Sequence, residues 1–497
     1  MGSESRIIRI VLLLVAWAAT ACQPSMSVAR QISERDAEFL KRLQHVNRMV
    51  RKYSRQRIVA LGIGEQCSFE LNNGDTTVIR LVSVEEHRYS LINRMQWAGV
   101  VVTVDGRRLE LVCSPYVMPT EVAGLRIQAD ATAGWPNIPD GASKKVQFSL
   151  WDAGDPIVDT NHFGFPIADY RLFSHGTQSF NEVVHLGTTD GTPRGPNFHH
   201  DYGFDMAGFE GREKVLSCVE GRVVEIWDGH SVAVCDDQGL IFTHGHLDSI
   251  APGVRAGVRV RKGQPVGILG KKGPSGDFSH LHVGTYLSEE DRKAGRANVN
   301  LNLYPWFVTA YERQSGQRLC AVARPHHVIV AGEKARFDGS NSLAFGTEIV
   351  KYQWLFHDGD SVETARVEKQ FHKPGTYIAE LWIWDGHGVP DVDFCKIRVF
   401  SKTDPEPVMP TLFLTYTPAK ELSAGQTVYV RGWLQGGESA NIRLDFGDGT
   451  ILEGYQPYSV VEHRYAKAGI HILSGYASVD NKPVTQKLKI VVAESRR

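Results

Sequence analysis

At 497 residues the chain is too long for one ordinary core, and roughly three to five domains are expected. A hydrophobic content of 42% with 22% charged residues excludes a disordered chain. A formal net charge of -1 gives no electrostatic reason to expect a nucleic acid as partner.

The amino terminus reads as a secretory signal over residues 1–21. Arg6 and Arg9 precede an apolar run, Ile10 to Ala21, that ends in the small residues Ala18-Ala19-Thr20-Ala21. The run is short for a membrane span. Cys22 then stands where a bacterial lipoprotein carries its lipidated cysteine, although Ala19 replaces the usual leucine three residues before it. A possible lipid anchor at Cys22 and a periplasmic or cell-envelope address are therefore expected.

Residues 22–175 are expected to form one helix and a β-rich domain of unassigned role. Ser33 and Asp36 make a capping-box-like pair. Phe39, Leu40, Leu43, Val46 and Val50 follow at helical spacing, with Lys41, Arg42, Arg48, Arg51 and Lys52 on the other face. From Arg57 onward the runs are short and β-type, such as Thr77–Ser83, Val100–Val104 and Val146–Leu150. Asn72-Asn73-Gly74-Asp75 and Asp105-Gly106 are hairpin-turn signals.

Residues 176–311 are dense in histidine. In Ser279-His280-Leu281-His282, a strand would project His280 and His282 from one face. The stretch Asn197-Phe198-His199-His200-Asp201-Tyr202-Gly203-Phe204-Asp205 can bring a histidine and a carboxylate to the same ion. Together they would supply three protein ligands and leave the fourth position open, the layout of a catalytic zinc site. A third piece, His244-Gly245-His246-Leu247, precedes the turn-rich run Val258 to Gly267. The stretch Gly270 to Gly276 is expected to be a mobile loop beside the groove.

This order of motifs, from His200 to Leu287, resembles the lysostaphin/LytM family of zinc metallopeptidases over about a fifth of the chain. The resemblance implies a Zn2+ cofactor held by His200, Asp205 and His282, with His246 and His280 as metal-free catalytic histidines. It also implies peptidoglycan, or another extracytoplasmic peptide, as substrate. The family usually reads His-x-Gly-x-Asp, which would put Asp201 at the histidine position. His200 needs a one-residue bulge to enter. Asp201 or His199 could stand in its place, and a degenerate site without metal stays open. His244 is expected outside the site, and His185 and His230 are expected to be ordinary surface or structural residues.

After Gln317 two segments resemble each other, which marks a tandem repeat. They are residues 318–402 and 408–495, joined by Thr403-Asp404-Pro405-Glu406-Pro407, a short stiff linker. The turn Phe446-Gly447-Asp448-Gly449 and the stretch Pro374-Gly375-Thr376-Tyr377 resemble PKD domains, which implies two immunoglobulin-like β-sandwiches. His357 departs from the pattern by replacing a turn glycine. Asp358, Asp360, Asp445 and Asp448 could bind calcium, although turn-forming hydrogen bonds are the simpler expectation.

The fold class expected is thus mainly β and multidomain. Six cysteines beyond Cys22 are read as the disulfides Cys67–Cys113, Cys218–Cys235 and Cys320–Cys395, because they fall two per domain of an exported chain. Three functions compete. They are an exported zinc metalloendopeptidase acting on peptidoglycan, an inactive peptidoglycan-binding or hydrolase-activating protein, and an adhesion protein working through its sandwiches.

Overall fold

The structure, a computed structural model, describes residues 34–91, 95–135, 138–139, 142–176, 178–180, 182–186, 197–200, 203–403, 410–420, 422–435, 441–479 and 482–495. For 183–186, 197–200 and 482 it describes the backbone alone. The signal segment, Cys22, Ser33, Asp201 and linker residues 404–407 lie outside the described residues. The chain is mainly β, as expected, and divides into two compact units. No helix among the described residues is long and apolar enough to cross a membrane.

The first unit holds the residues up to Arg88, Arg94–Ile157 and Asn300–Asn302. Its helix, Glu34–Met49, buries Asp36, Phe39, Leu43, Val46 and Met49, the one-sided stripe that helical spacing demands. Asp36 tolerates burial because its Oδ1 accepts the Ser143 N–H at 2.9 Å. Two four-stranded sheets follow, ordered Arg57–Leu61, Val146–Asp152, Leu125–Thr132, Thr120–Val122 and Gln66–Glu70, Thr76–Arg88, Met95–Val104, Arg107–Cys113. Both contribute to one core that includes Leu61, Phe69, Leu81, Val102, Ile127 and Phe148. Asp105 and Gly106 take φ of 48° and 80° and close the two-residue hairpin that their sequence signals.

The second unit holds Tyr89–Asn93, Val158–Val299 and Leu303–Arg497. Residues 158–175, assigned by sequence to the preceding domain, pack here instead. Gly164 N–H donates to the Cys218 carbonyl at 2.8 Å. Phe163 meets Trp306 and Phe307 with ring centroids 5.4 Å apart. Those two rings sit on the helix Tyr304–Ser315, which ends at Gly316 in the left-handed region that a C-terminal glycine accepts.

A seven-stranded antiparallel sheet forms the middle of this unit. Its order is Arg259–Val260, Gly221–Trp227, Ser231–Cys235, Ile241–Gly245, His280–Tyr286, Phe204–Ala207, Ser179–Phe180. A three-stranded sheet, ordered Lys214–Leu216, Pro265–Leu269, Leu247–Ile250, takes the chain after residue 246.

Two sandwiches follow. The first is built on the sheet His327–Val330, Pro390–Phe400, Gly375–Asp385, Ile349–Leu355, Ser361–Val362. The second pairs the sheet Thr411–Thr417, Thr427–Gln435, Val460–Arg464 with the sheet Ile451–Tyr455, Ile442–Asp445, Gly469–Val479, Lys482–Val492. The aspartates of their turns serve local bonds. Asp358 and Asp360 share the Lys369 ammonium at 2.6 and 2.5 Å. Asp445 Oδ1 and Asp448 Oδ1 accept the Gly447 and Thr450 N–H groups.

The three disulfides expected from cysteine parity do not form, and all six residues are thiols. Cys67 and Cys113 lie on the two outermost strands of one four-stranded sheet, with two strands between them. A disulfide cannot reach across that distance. Cys320 Sγ points to the Leu172 carbonyl, and Cys395 Sγ points to that of Pro325. Cys218 is buried beside Gly164, whereas Cys235 is half-buried with its Sγ toward the Asp236 carbonyl.

Candidate functional site

Register builds the site. In the antiparallel pair of strands, Asp205 stands directly opposite His282, and Ala207 opposite His280. Directly opposed residues share a sheet face, and so do residues two apart on one strand. Asp205, His280 and His282 therefore project together. Asp205 Oδ1 lies 2.8 Å from His282 Nδ1 and 3.5 Å from His280 Nε2. Asp205 and His280 are buried and His282 is half-exposed. One ligand atom from each of the three falls within 4.8 Å of the others, a cluster able to hold a metal ion.

His246 joins them by a break in regularity. It follows Gly245, which is paired with His282, and takes a φ of 62°. That left-handed residue stands at the corner where the chain leaves the seven-stranded sheet for the three-stranded one. Its ring centroid lies 4.6 Å from that of His280 and 6.0 Å from that of His282. His244, two residues earlier, stays on the opposite face. Its Nε2 accepts the Cys218 N–H at 3.2 Å, which leaves Nδ1 protonated to donate to the Val232 carbonyl. Burial lowers its pKa to about 4. His244 is a core residue, outside the site.

The three site imidazoles have a common arrangement. Nδ1 of His246 meets the Lys272 carbonyl at 2.9 Å, and Nδ1 of His280 meets the Phe278 carbonyl at 2.9 Å. His282 Nδ1 meets Asp205. A backbone carbonyl only accepts, so Nδ1 of His246 and of His280 carries the proton and Nε2 of each keeps its lone pair. This is how imidazoles are oriented when the other nitrogen has a ligand or proton to bind. A carboxylate with unprotonated imidazole nitrogens is a donor set that suits a divalent cation. Burial is the largest cause lowering the pKa of His246, to about 3, and of His280. The neighbouring imidazoles act in the same direction on both, and Asp205 opposes them. Both rings are neutral at pH 7.

His200 ends the strand Asn197–His200, whose backbone pairs with Val183–Leu186 so that His200 faces Val183 and His199 faces Val184. The side chains of His199 and His200, and all of Asp201, lie outside the described residues. The structure does bring the chain to the site three residues after His200. A Cβ added at Gly203 would lie 2.1 Å from Cε1 of His282.

A groove of about 440 Å³ runs over the sheet face beside the cluster. Glu225, Trp227, Thr243 and Tyr286 line it together with the three histidines and Phe278. Trp227 is 53% exposed, an apolar plate open to a ligand. Arg292 pairs with Glu225 in the same lining. His230, which the sequence suggested was ordinary, also lines the groove, packed so tightly on Gly273 that a Cβ there would come 2.4 Å from its Cε1. The contact joins residues more than forty positions apart, and no motif signals it.

Residues 199–294 match the model of Peptidase family M23, and residues 320–399 and 413–492 match PKD domain models. The chain carries an M23 peptidase segment followed by two PKD domains. The M23 match covers the motifs that resemble the lysostaphin/LytM type, and both PKD matches fall on the sandwiches.

Among curated proteins the chain is similar to collagenase ColA of Clostridium perfringens, at 30% identity over 79 residues. That match covers 16% of this chain and 7% of the collagenase. Among solved structures it is similar to lytM from Ruminococcus gnavus, at 24% identity, 31% and 62% coverage and a TM-score of 0.20. It is also similar to Csd3 of Helicobacter pylori, at 16% identity, 49% and 55% coverage and a TM-score of 0.19.

Proposed function

We propose that the chain is an exported zinc-dependent endopeptidase that cuts peptide bonds of peptidoglycan. The observation that carries this reading is the set of three imidazoles, each tied through Nδ1, beside the Asp205 carboxylate on the floor of a groove within the M23 segment.

Asp205 and His282 would hold the zinc ion, with His200 as third ligand. When bound, the ion makes water a nucleophile near neutral pH and polarises the scissile carbonyl. His246 and His280 do the proton work. Both are neutral at pH 7, so an Nε2 is available to accept the proton released as the nucleophile attacks. The ring that gains a proton becomes a donor to the leaving amine. Asp205 Oδ1 and His282 Nδ1, 2.8 Å apart, would be the two ligand atoms. Trp227 and Tyr286 give the peptide flat apolar surfaces on which to lie.

Peptidoglycan as substrate, and an address outside the cytoplasmic membrane with Cys22 as the lipid-modified residue, come from the lysostaphin/LytM resemblance and the amino-terminal pattern. A binding-only role leaves the oriented imidazoles without a task.

The test is incubation of purified peptidoglycan with the intact chain and mass analysis of the soluble products. Fragments heavier by one water with a new amine, lost with His246→Ala, support the reading. Wild type that binds one zinc per chain and releases nothing from any cross-linked peptide overturns it.

A further inference from the structure

The proton-handling imidazoles are both oriented by one loop, residues 271–278. Lys272 supplies the carbonyl that holds His246, and Phe278 supplies the one that holds His280. Phe278 also stacks on the His280 ring, with centroids 3.9 Å apart and planes 12° apart. The loop is not relaxed. Asp277 is a non-glycine residue at φ 62°, a left-handed conformation that persists only where its surroundings over-determine it.

Those surroundings come from the second sandwich. Trp433 Nε1 donates to the Asp277 carbonyl at 3.0 Å, and Gln435 Nε2 donates to the Gly276 carbonyl at 3.1 Å. Tyr458 Oη donates to Asp277 Oδ2 at 3.3 Å. Phe413 stacks on Phe278, with centroids 5.7 Å apart and planes 3° apart. Lys271 lies over the Trp433 and Tyr458 rings, at 5.5 and 5.0 Å, and pairs with Asp277 at 3.1 Å. An unbroken stack thus runs from Phe413 through Phe278 to the imidazole of His280.

We infer that the second PKD sandwich is a brace for the groove: Trp433, Gln435 and Phe413 are positioning residues that fix loop 271–278 and, through it, the His246 and His280 rings. Two consequences follow. The aromatic face of this sandwich is committed within the chain and is not a spare surface for polymer binding. The peptidase segment also depends on a domain more than a hundred residues downstream for the alignment of its histidines. The kinetic part of this inference rests on the peptidase reading; the structural part does not.

The test uses the intact chain with Trp433→Phe and Gln435→Ala combined, which deletes both bonds to the loop carbonyls and keeps an aromatic ring in place. Amide hydrogen exchange reads the loop, and strands Thr411–Thr417 and Thr427–Gln435 report whether the sandwich stays folded. Loop amides should exchange about tenfold faster with the strands unchanged. Turnover should fall about tenfold in kcat at unchanged KM, because alignment is lost and binding is not. If the double variant loosens the strands themselves, Gln435→Ala alone, at a half-buried position, decides in their place. Loop exchange equal to wild type in a folded variant overturns the brace. Wild type that cleaves no peptide would defeat the peptidase reading and leave the exchange comparison to judge the brace.

Discussion

The backbone at Gly203 lies against the imidazole of His282, leaving no room for even a methyl group: a Cβ there would be 2.1 Å from Cε1 and 2.5 Å from Nε2. That contact gives the glycine of the first motif a physical reason. Gly203→Ala must push the ring off Asp205. We expect zinc affinity to fall about 10- to 100-fold, the usual penalty for disturbing the orientation of a ligand. Zinc retained after dialysis against a graded chelator series checks this, with circular dichroism showing that the sheet survives.

His244 and His246 are two residues apart and should separate cleanly. His244→Ala leaves the Cys218 N–H and Val232 carbonyl without their partner in a dry core. A loss of about 2–4 kcal/mol in unfolding free energy is expected, with zinc still bound by the remaining protein. His246→Ala should reduce turnover about 10²- to 10⁴-fold. Because residue 246 sits at φ 62°, His246→Gly should be more stable than His246→Ala by about 1 kcal/mol, although both are inactive. Urea unfolding and turnover of the three variants check the set.

Acid should unfold the second unit early. His175 is buried, stacked on Tyr416, and burial lowers its pKa to about 3. Burial also lowers His327 to about 4. Folded, these rings stay neutral; unfolded, they take a proton below about pH 6.5. The unfolded state then binds more protons, so stability is full above pH 6.5 and is lost as pH falls toward 3 to 4. Each ring costs about 1.4 kcal/mol per pH unit in that window. Unfolding midpoints at pH 7.5 and 5.5 check the slope, and His175→Phe, which keeps the stacking, should flatten it.

The thiols give a further test. Burial raises the pKa of Cys113, Cys218, Cys320 and Cys395, and raises that of half-buried Cys235 to about 11. A raised pKa removes the reactive thiolate. The six cysteines beyond Cys22 should therefore resist a maleimide reagent in the native chain, and without reductant all six should take up label once it is denatured. A mass deficit of two hydrogens per pair would restore the disulfides.

The local periodicities were legible in the sequence, and the long-range contacts were not. Two-residue spacing put His280 and His282 on one face, and the order of motifs pointed to Asp205 and His246. The left-handed turn that swings His246 away from His244 leaves no periodic trace. Cysteine parity misled, because strand order and not sequence interval decides which sulfurs can meet. Loop 270–276 was expected to be mobile; residues 271–278 are instead held by Trp433 and Gln435, whose sequence context says only that they lie on a strand. The packing of residues 158–175 was illegible for the same kind of reason. Phe163 and Phe165 are buried against the helix Tyr304–Ser315, far along the chain.

Zinc-edge anomalous diffraction from crystals grown with zinc is the most direct trial of the metal centre. The account predicts one strong peak about 2.0–2.2 Å from an oxygen of Asp205 and a nitrogen of His282, open toward the groove. A map without a peak between those two side chains, or with zinc held only elsewhere on the chain, would contradict it.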